Sequence, residues 1–377
     1  MASRLIRLPR AMFDSDHYLA VNPDVAQAVQ NGVFTDAYQH YLRYGCYEEH
    51  RGDRPLSMPV RSTELVKSSG NSDLRERIVD LEIEKAALLE VWTKTRKLLN
   101  DVTFEMLTDD VGDQEDIPAL DREAVDESTL DENQRAWRRD GVVILPKLLP
   151  DDLIDRYCLL REKVPDPNGW ACATPYMYFP ELRNICLYEP LVRIVTSLVG
   201  EEVALSLNQT HWVSTERTWH QDDLCNQPYV NAFYAAVWMA LDRIHPESGP
   251  FEYVPGSHRW RLLRSHKIRM FLEASERDRP EWPNIAERFV TQAVEREIAR
   301  VGTPIRSFLG ERGDVLIWHG RLVHRGSPPL VRGMQRKALI AHYTGIPHRE
   351  GIWRIKRHTN GCAYFDLPTP LDFDPRT

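Results

Sequence analysis

Residues 314–327 read DVLIWHGRLVHRGS. The apolar run from Val315 to Trp318 has the composition of a buried strand, and the glycines at 320 and 326 mark turns. Arg336 then opens a further strand pattern, Lys337 to Tyr343. Working outward, short runs rich in Val, Leu, Trp and Tyr recur at 203–213, 230–241 and 251–254. Turn clusters such as Glu247-Ser248-Gly249-Pro250 and Pro255-Gly256-Ser257 separate them. Short strands without helices between them predict an all-β sandwich or barrel, interrupted by one helical insertion at about 264–301. Upstream, the pattern predicts a helix over Leu130–Arg139, a turn at Asp140-Gly141, a strand over Val142–Leu145 and a helix over Asp151–Arg161. No GxGxxG or GxxxxGK[ST] occurs, so a Gly-rich nucleotide loop is not supported.

The chemistry is concentrated in two places. Trp219-His220-Gln221-Asp222 sets an imidazole and a carboxylate two residues apart, on one face if the segment is a strand. Alone such a pair is weak, because His–Asp pairs are common structural features. About a hundred residues on, His324 offers a third ligand. Two histidines and one carboxylate cap one face of an octahedron and leave three positions open, the ligand set of non-haem Fe(II) oxygenases. A closed structural zinc site would want four ligands, often cysteines. The carboxylate Asp222 also favours oxygen insertion or desaturation over halogenation, which leaves that corner for chloride. Arg336, about a dozen residues beyond His324 on the next strand, is placed to hold the far end of a dicarboxylate co-substrate.

Residues 128–345 resemble the phytanoyl-CoA dioxygenase family of Fe(II)/2-oxoglutarate oxygenases. The matching pieces are Asp140-Gly141-Val142-Val143, the 219–222 motif, Ala236 to Asp242, Ser248-Gly249-Pro250 with Val254 to His258, and Gly313 through His324 to Arg336-Lys337-Ala338. The resemblance implies a mainly β fold, a double-stranded β-helix or jelly roll with flanking helices and iron at one mouth. It implies His220, Asp222 and His324 as iron ligands and Arg336 as the residue that binds the distal carboxylate of 2-oxoglutarate, with Ser327 sharing that carboxylate. Many members read His-Gly-Ser where this chain has His324-Arg325-Gly326-Ser327, one residue longer.

His319 lies five before His324, which in a regular strand puts the two on opposite faces. His258 reads as a turn or surface residue, His342 as a strand residue without a metal role, and His211 as facing substrate or core. Arg332, beside Gly333 in the loop, is a poorer clamp than Arg336. Trp219 and Trp238 read as core aromatics. One of Asn208 and Gln209, polar residues in an apolar strand, is a candidate contact for the co-substrate.

Three segments precede this body. Residues 10–56 predict a small helical module. Asn22-Pro23-Asp24 starts a helix that Asn31-Gly32 ends, and a second helix runs from about Thr35 to Tyr44. Phe13, Tyr18, Leu19, Val25, Val29, Tyr41 and Leu42 form its candidate core. The stretch resembles a module of the form FDxxYYLxxNPDV…HYLxxGxxEGRxP found on bacterial enzymes of surface-polysaccharide assembly, including some glycosyltransferases. Residues 73–100 carry Leu74, Leu81, Leu88 and Ile78, Trp92, Leu99 at heptad spacing, which predicts a coiled-coil helix and self-association. Residues 101–132 hold thirteen acids and one arginine, a net charge of −12. This predicts a solvated acidic linker over 101–127, ahead of an oxygenase domain over 128–377.

The whole chain of 377 residues carries a net charge of −8, which excludes a general nucleic-acid binder. No apolar run reaches the length of a membrane span, and the N-terminus lacks a signal-peptide core. Six cysteines without a CxxC pair fit reduced thiols and a cytoplasmic protein. The expectation is an Fe(II)- and 2-oxoglutarate-dependent dioxygenase that hydroxylates a small molecule or glycoconjugate. The alternatives are a jelly-roll scaffold without catalysis and a metal enzyme that does not use 2-oxoglutarate.

Overall fold

The computed structural model describes residue 13, residues 15–31, 34–41, 102–110, 116–170, 172–222, 232–347 and 354–367. The chain divides into two units, residues 1–93 and 94–377. In the first, helices α1 (Ser15–Val21), α2 (Pro23–Gln30) and α3 (Ala37–His40) enclose Phe13, Tyr18, Val25, Ala37 and Tyr41. Leu19 and Val29 pack against this cluster. Asn22 occupies the cap position of α2, but its side chain caps nothing and donates backwards to the Tyr18 carbonyl at 2.9 Å. The heptad segment, including Leu74 to Leu99, lies outside the described residues.

The second unit begins with α4 (Phe104–Leu107) and β1 (Thr108–Asp109). Then come α5 (Glu132–Asp140), β2 (Val142–Leu145), α6 (Asp151–Arg161), α7 (Pro180–Cys186) and α8 (Glu189–Val199). Next are β3 (Val203–Gln209), β4 (Tyr234–Ala240), β5 (Phe251–Tyr253) and β6 (Leu262–Leu263). The helical insertion resolves into α9 (Ser265–Met270), α10 (Ala274–Arg277) and α11 (Trp282–Val301). The chain continues with β7 (Arg306–Phe308), β8 (Val315–His319), β9 (His324–Gly326), β10 (Ala338–Gly345), β11 (Arg354–Arg357) and β12 (Ala363–Asp366).

The strands make a seven-stranded sheet of order β11-β12-β3-β10-β4-β8-β2, a three-stranded sheet β7-β5-β9, and the pair β1-β6. Side-chain alternation divides the large sheet between two cores. One face carries Val143, Leu205, Val237, Met239, Ile317, Leu339 and Tyr343 against the apolar stripes of α5 to α8. The other carries Val142, Ala236, Trp238, Leu316 and Trp318 against Phe251, Tyr253 and Phe308 of the small sheet. Helices are therefore nearly as numerous as strands, and the fold is more mixed than the sequence pattern predicts. The helices over 151–199 cover one sheet face, a tertiary pairing that strand periodicity does not report. Among the described residues no helix is long and apolar enough to cross a membrane.

The acidic segment departs from the expected solvated linker. Val102, Phe104 and Leu107 are buried in one cluster with Leu263, Ile268, Trp282, Phe289 and Val294 of the insertion. Thr108 and Asp109 pair with Leu263 and Leu262. Few apolar residues among many acids suffice, because each is placed on an apolar surface supplied by a distant part of the chain. Further on, Asp131 and Gln134 form a capping box that starts α5, and Gly141 ends it at φ +70°. Glycine is required there twice over, since a Cβ would also stand 2.5 Å from His258 Nδ1.

Candidate metal centre

Two distant segments are clipped together at the site. His220 N donates to the His324 carbonyl and His324 N to the His220 carbonyl, both at 3.0 Å. This isolated antiparallel bridge brings the two imidazole centroids to 4.3 Å. The 219–222 segment is thus a bridge and a turn rather than a strand, and the bridge brings His220 and Asp222 beside His324 of β9, while Gln221 turns to Arg261 and Leu263. Asp222 Oδ1 lies 3.6 Å from Nε2 of His220 and 3.6 Å from Nε2 of His324. Ligand atoms of the three residues lie within 4.8 Å of one another, the one such group among the described residues.

Each donor is oriented from behind. His220 Nδ1 is 2.6 Å from the Thr218 carbonyl, and His324 Nδ1 is 2.9 Å from the Leu322 carbonyl. With Nδ1–H donating to these oxygens, both Nε2 lone pairs converge on Asp222. The Trp318 indole N–H donates to Asp222 Oδ2 at 3.1 Å, which leaves Oδ1 for the centre. Burial alone would raise the Asp222 carboxyl, but the His324 and His220 imidazoles outweigh it and hold the group below the usual carboxylate range. Burial pushes His324 down to about 4. At neutral pH the cluster therefore presents the Asp222 carboxylate and the neutral His324 imidazole. With His220 Nε2 beside them, three converging donor atoms suit a divalent metal.

The group opens into a cavity of about 390 Å³. Trp238, Phe251, Trp318 and Ile340 line its interior, and Gln209, His211, Thr215 and Arg217 add polar surface. Arg336 also lines it, 4% exposed and stacked over Trp238 at 5.5 Å. Its guanidinium donates to the Gly249 and Val213 carbonyls, and among the described residues its Nε has no partner and no carboxylate pairs with it. Burial lowers its pKa to about 10. A buried cation held by backbone carbonyls and a ring face has the chemistry to take an anionic ligand. Its own backbone is anchored by a hydrogen bond to the Trp212 carbonyl at 2.7 Å. Arg161 braces the neighbouring loop by donating to the carbonyls of Thr210, Val164, Asp166 and Pro167 while stacked on Trp212 at 4.9 Å.

The structure brings His220, Asp222, His324 and Arg336 to one cavity. Ser327 is different: it is absent from the cavity lining, and its hydroxyl donates to the Pro250 carbonyl at 2.7 Å. The extra residue after His324 lets Gly326 finish β9 and carries Ser327 into the turn against Pro250. His319 points away from the site, as alternation next to Trp318 requires. Its Nε2 is 3.1 Å from Asp121 Oδ2, and its Nδ1 accepts from Arg321 N. His258 is buried beside it, not on the surface, and burial, then His319, push its pKa down to about 3. Arg332 is exposed. Of the polar pair on β3, Gln209 faces the cavity, while Asn208 turns to Cys186 and the Ile340 carbonyl. Trp238 is a wall of the cavity and Trp219 is buried under Arg325. The residues that sequence reasoning missed are Trp318 and His342. Alternation from His319 held the signal for Trp318.

The family model described as phytanoyl-CoA dioxygenase (PhyH) matches residues 180–331, less than half of the chain. The match spans His220, Asp222 and His324 and ends before Arg336. No curated protein matches. Among solved structures, the non-haem alpha-ketoglutarate-dependent epimerase SnoN from nogalamycin biosynthesis is 18% identical, with 58% of this chain and 84% of that chain covered and a TM-score of 0.41. EctD from S. alaskensis with bound Fe is 15% identical, covering 66% and 84%, with a TM-score of 0.44. HygX from Streptomyces hygroscopicus with nickel and 2-oxoglutarate bound is 17% identical, covering 59% and 88%, with a TM-score of 0.40.

Proposed function

We propose that this chain is a 2-oxoglutarate-dependent non-haem iron oxygenase, built on a jelly-roll core, that hydroxylates a polar small molecule or glycoconjugate. The observation that carries the reading is the pairing of an open three-ligand cluster with a buried, anion-lacking arginine in one cavity. His220, Asp222 and His324 would hold Fe(II), and the family match over 180–331 supports that ligand set. When bound, the metal and its 2-oxo acid supply the oxidising chemistry. Arg336 takes the distal carboxylate and, through it, orients the co-substrate. Trp318 keeps Asp222 turned so that one oxygen faces the metal. Trp238, Phe251 and Ile340 exclude water from the interior. Ser327 fixes the turn that carries β9 rather than touching the co-substrate.

The polar surface of Gln209, His211, Thr215 and Arg217 supports a hydroxyl-rich or anionic substrate. Resemblance of the 10–56 module to those of surface-polysaccharide enzymes supports a sugar or glycoconjugate made in the cytoplasm. Self-association is assigned to the 73–100 heptads. The test is turnover. Purified protein with Fe(II), 2-oxoglutarate and O2 should release succinate at a slow uncoupled rate, and a cognate polar acceptor should accelerate it. His324→Ala should abolish both. Succinate release at an undiminished rate from His324→Ala would refute the assignment.

A further inference from the structure

A fourth imidazole faces the cavity and lies outside the ligand set. Alternation along β10 puts Arg336, Ala338, Ile340 and His342 on one face, and Arg336, Ile340 and His342 all line the cavity. In register, His342 stands beside Ala236, which in turn stands beside Trp318. Across the small Ala236 the two rings meet edge to face, their centroids 6.0 Å apart and their planes at 79°. Asp222 and His220 are near enough to act on His342 electrostatically, yet no atom of His342 belongs to the converging ligand group.

The two ring nitrogens differ. Nδ1 is hydrogen-bonded to the Tyr234 hydroxyl. Nε2 is buried and has no hydrogen-bond partner among the described residues, in a residue only 5% exposed. An imidazole nitrogen left so is unfavourable unless a ligand completes it. The neighbouring Trp318, Phe251 and Ile340 do not complete it: the Trp318 indole N–H is committed to Asp222, and Phe251 and Ile340 have only carbon side chains.

We propose that His342 is a co-substrate-binding residue, whose Nε2–H donates to the carboxylate at the keto-acid end of 2-oxoglutarate. Tyr234 sets the tautomer by donating its hydroxyl proton to Nδ1. A five-carbon dicarboxylate held by Arg336 at one end then follows the inner face of β10, past Ile340, to His342 and the three ligands at the other. The inference rests on the functional reading above and adds to it the group that fixes the reacting end.

The experiment is an anaerobic titration of the Fe(II)-loaded full chain with 2-oxoglutarate, followed by the visible charge-transfer band of the chelate. His342→Leu should retain iron, bind 2-oxoglutarate about tenfold to hundredfold more weakly, the range for one hydrogen bond to a charged group, and displace the band. His342→Gln, which restores an N–H near the Nε2 position, should recover most of the affinity. Tyr234→Phe should move affinity and band in the same direction as His342→Leu, by less. Thermal unfolding of each variant checks the fold; if His342→Leu does not fold, His342→Gln and Tyr234→Phe decide. A band of unchanged position and affinity in His342→Leu overturns the inference alone. Loss of iron by a folded His342→Leu also overturns it, because His342 would then serve the metal. No band in the unaltered protein overturns the functional reading on which it rests.

Discussion

Replacing Arg336 with methionine separates binding from stability. The side chain is buried, and burial lowers its pKa to about 10, so holding it cationic costs about 3 kcal/mol. Methionine of similar length removes that cost. It also removes donors from the Gly249 and Val213 carbonyls, a loss of roughly 1–1.5 kcal/mol each. The two effects nearly cancel, so the metal-free Arg336→Met protein should unfold within a few degrees of the parent, at about 2–4 °C per kcal/mol for a body of this size. Co-substrate binding has no such compensation. Two charge-assisted hydrogen bonds at roughly 1.5–3 kcal/mol each give a loss of about 3–6 kcal/mol, or a 10²- to 10⁴-fold rise in Kd. Arg336→Lys keeps the charge without the fork and should fall between. The assay pairs thermal unfolding without ligand with calorimetric titration of 2-oxoglutarate in the presence of Mn(II), a redox-quiet stand-in. A Kd within threefold of the parent would refute the reasoning. So would a Tm more than ten degrees lower with 2-oxoglutarate binding intact, which would make Arg336 a residue of the fold.

Three further outcomes are expected. Trp318→Phe keeps the ring but frees Asp222 Oδ2, and should weaken metal binding by about 10–100-fold while leaving the metal-free Tm within a few degrees, as equilibrium dialysis would show. Acid should destabilise the metal-free protein well above the range of ordinary carboxylates. His258 is pushed down from 6.5 to about 3 by burial and then by His319, so its stabilisation is complete above about pH 6.5 and is lost as pH falls toward 3. At pH 5.5 this one residue costs about 1.4 kcal/mol, and His324 and His342, both near 4, add to it; a flat denaturant midpoint between pH 7.5 and 5.5 would contradict this. Asp121→Ala leaves buried His319 without its partner and should destabilise the second unit by roughly 1–3 kcal/mol in denaturant unfolding, whereas a neutral effect would show that the contact holds nothing in place.

Legibility from sequence followed the range of the interactions. The strand runs at 142–145, 251–254 and 314–318 nearly coincide with β2, β5 and β8, because alternation and turn residues are local signals. His220 and Asp222 were legible from their two-residue spacing, and His324 and Arg336 from their places after the β8 run and before the β10 run. What stayed hidden depends on side chains meeting across the chain. Asp121 and His319 are 198 positions apart, and Tyr234 and His342 are 108 apart. Nothing local distinguishes them from solvated or strand residues. The acidic segment failed as a linker for the same reason: Phe104 and Leu107 find their apolar partners in α9 and α11, far along the chain. The resemblance implies a co-substrate contact at Ser327, but the residue inserted after His324 goes with a turn in which the Ser327 hydroxyl donates to the Pro250 carbonyl.

The central claim is that His220, Asp222 and His324 hold one iron. Metal analysis after anaerobic loading and desalting tests it most directly. The parent chain should retain about one Fe(II) per chain, and His220→Ala, Asp222→Ala and His324→Ala should each lose most of it while keeping their fold by circular dichroism. Stoichiometric iron retained by the Asp222→Ala and His324→Ala proteins would contradict the account and return the fold to the role of a scaffold.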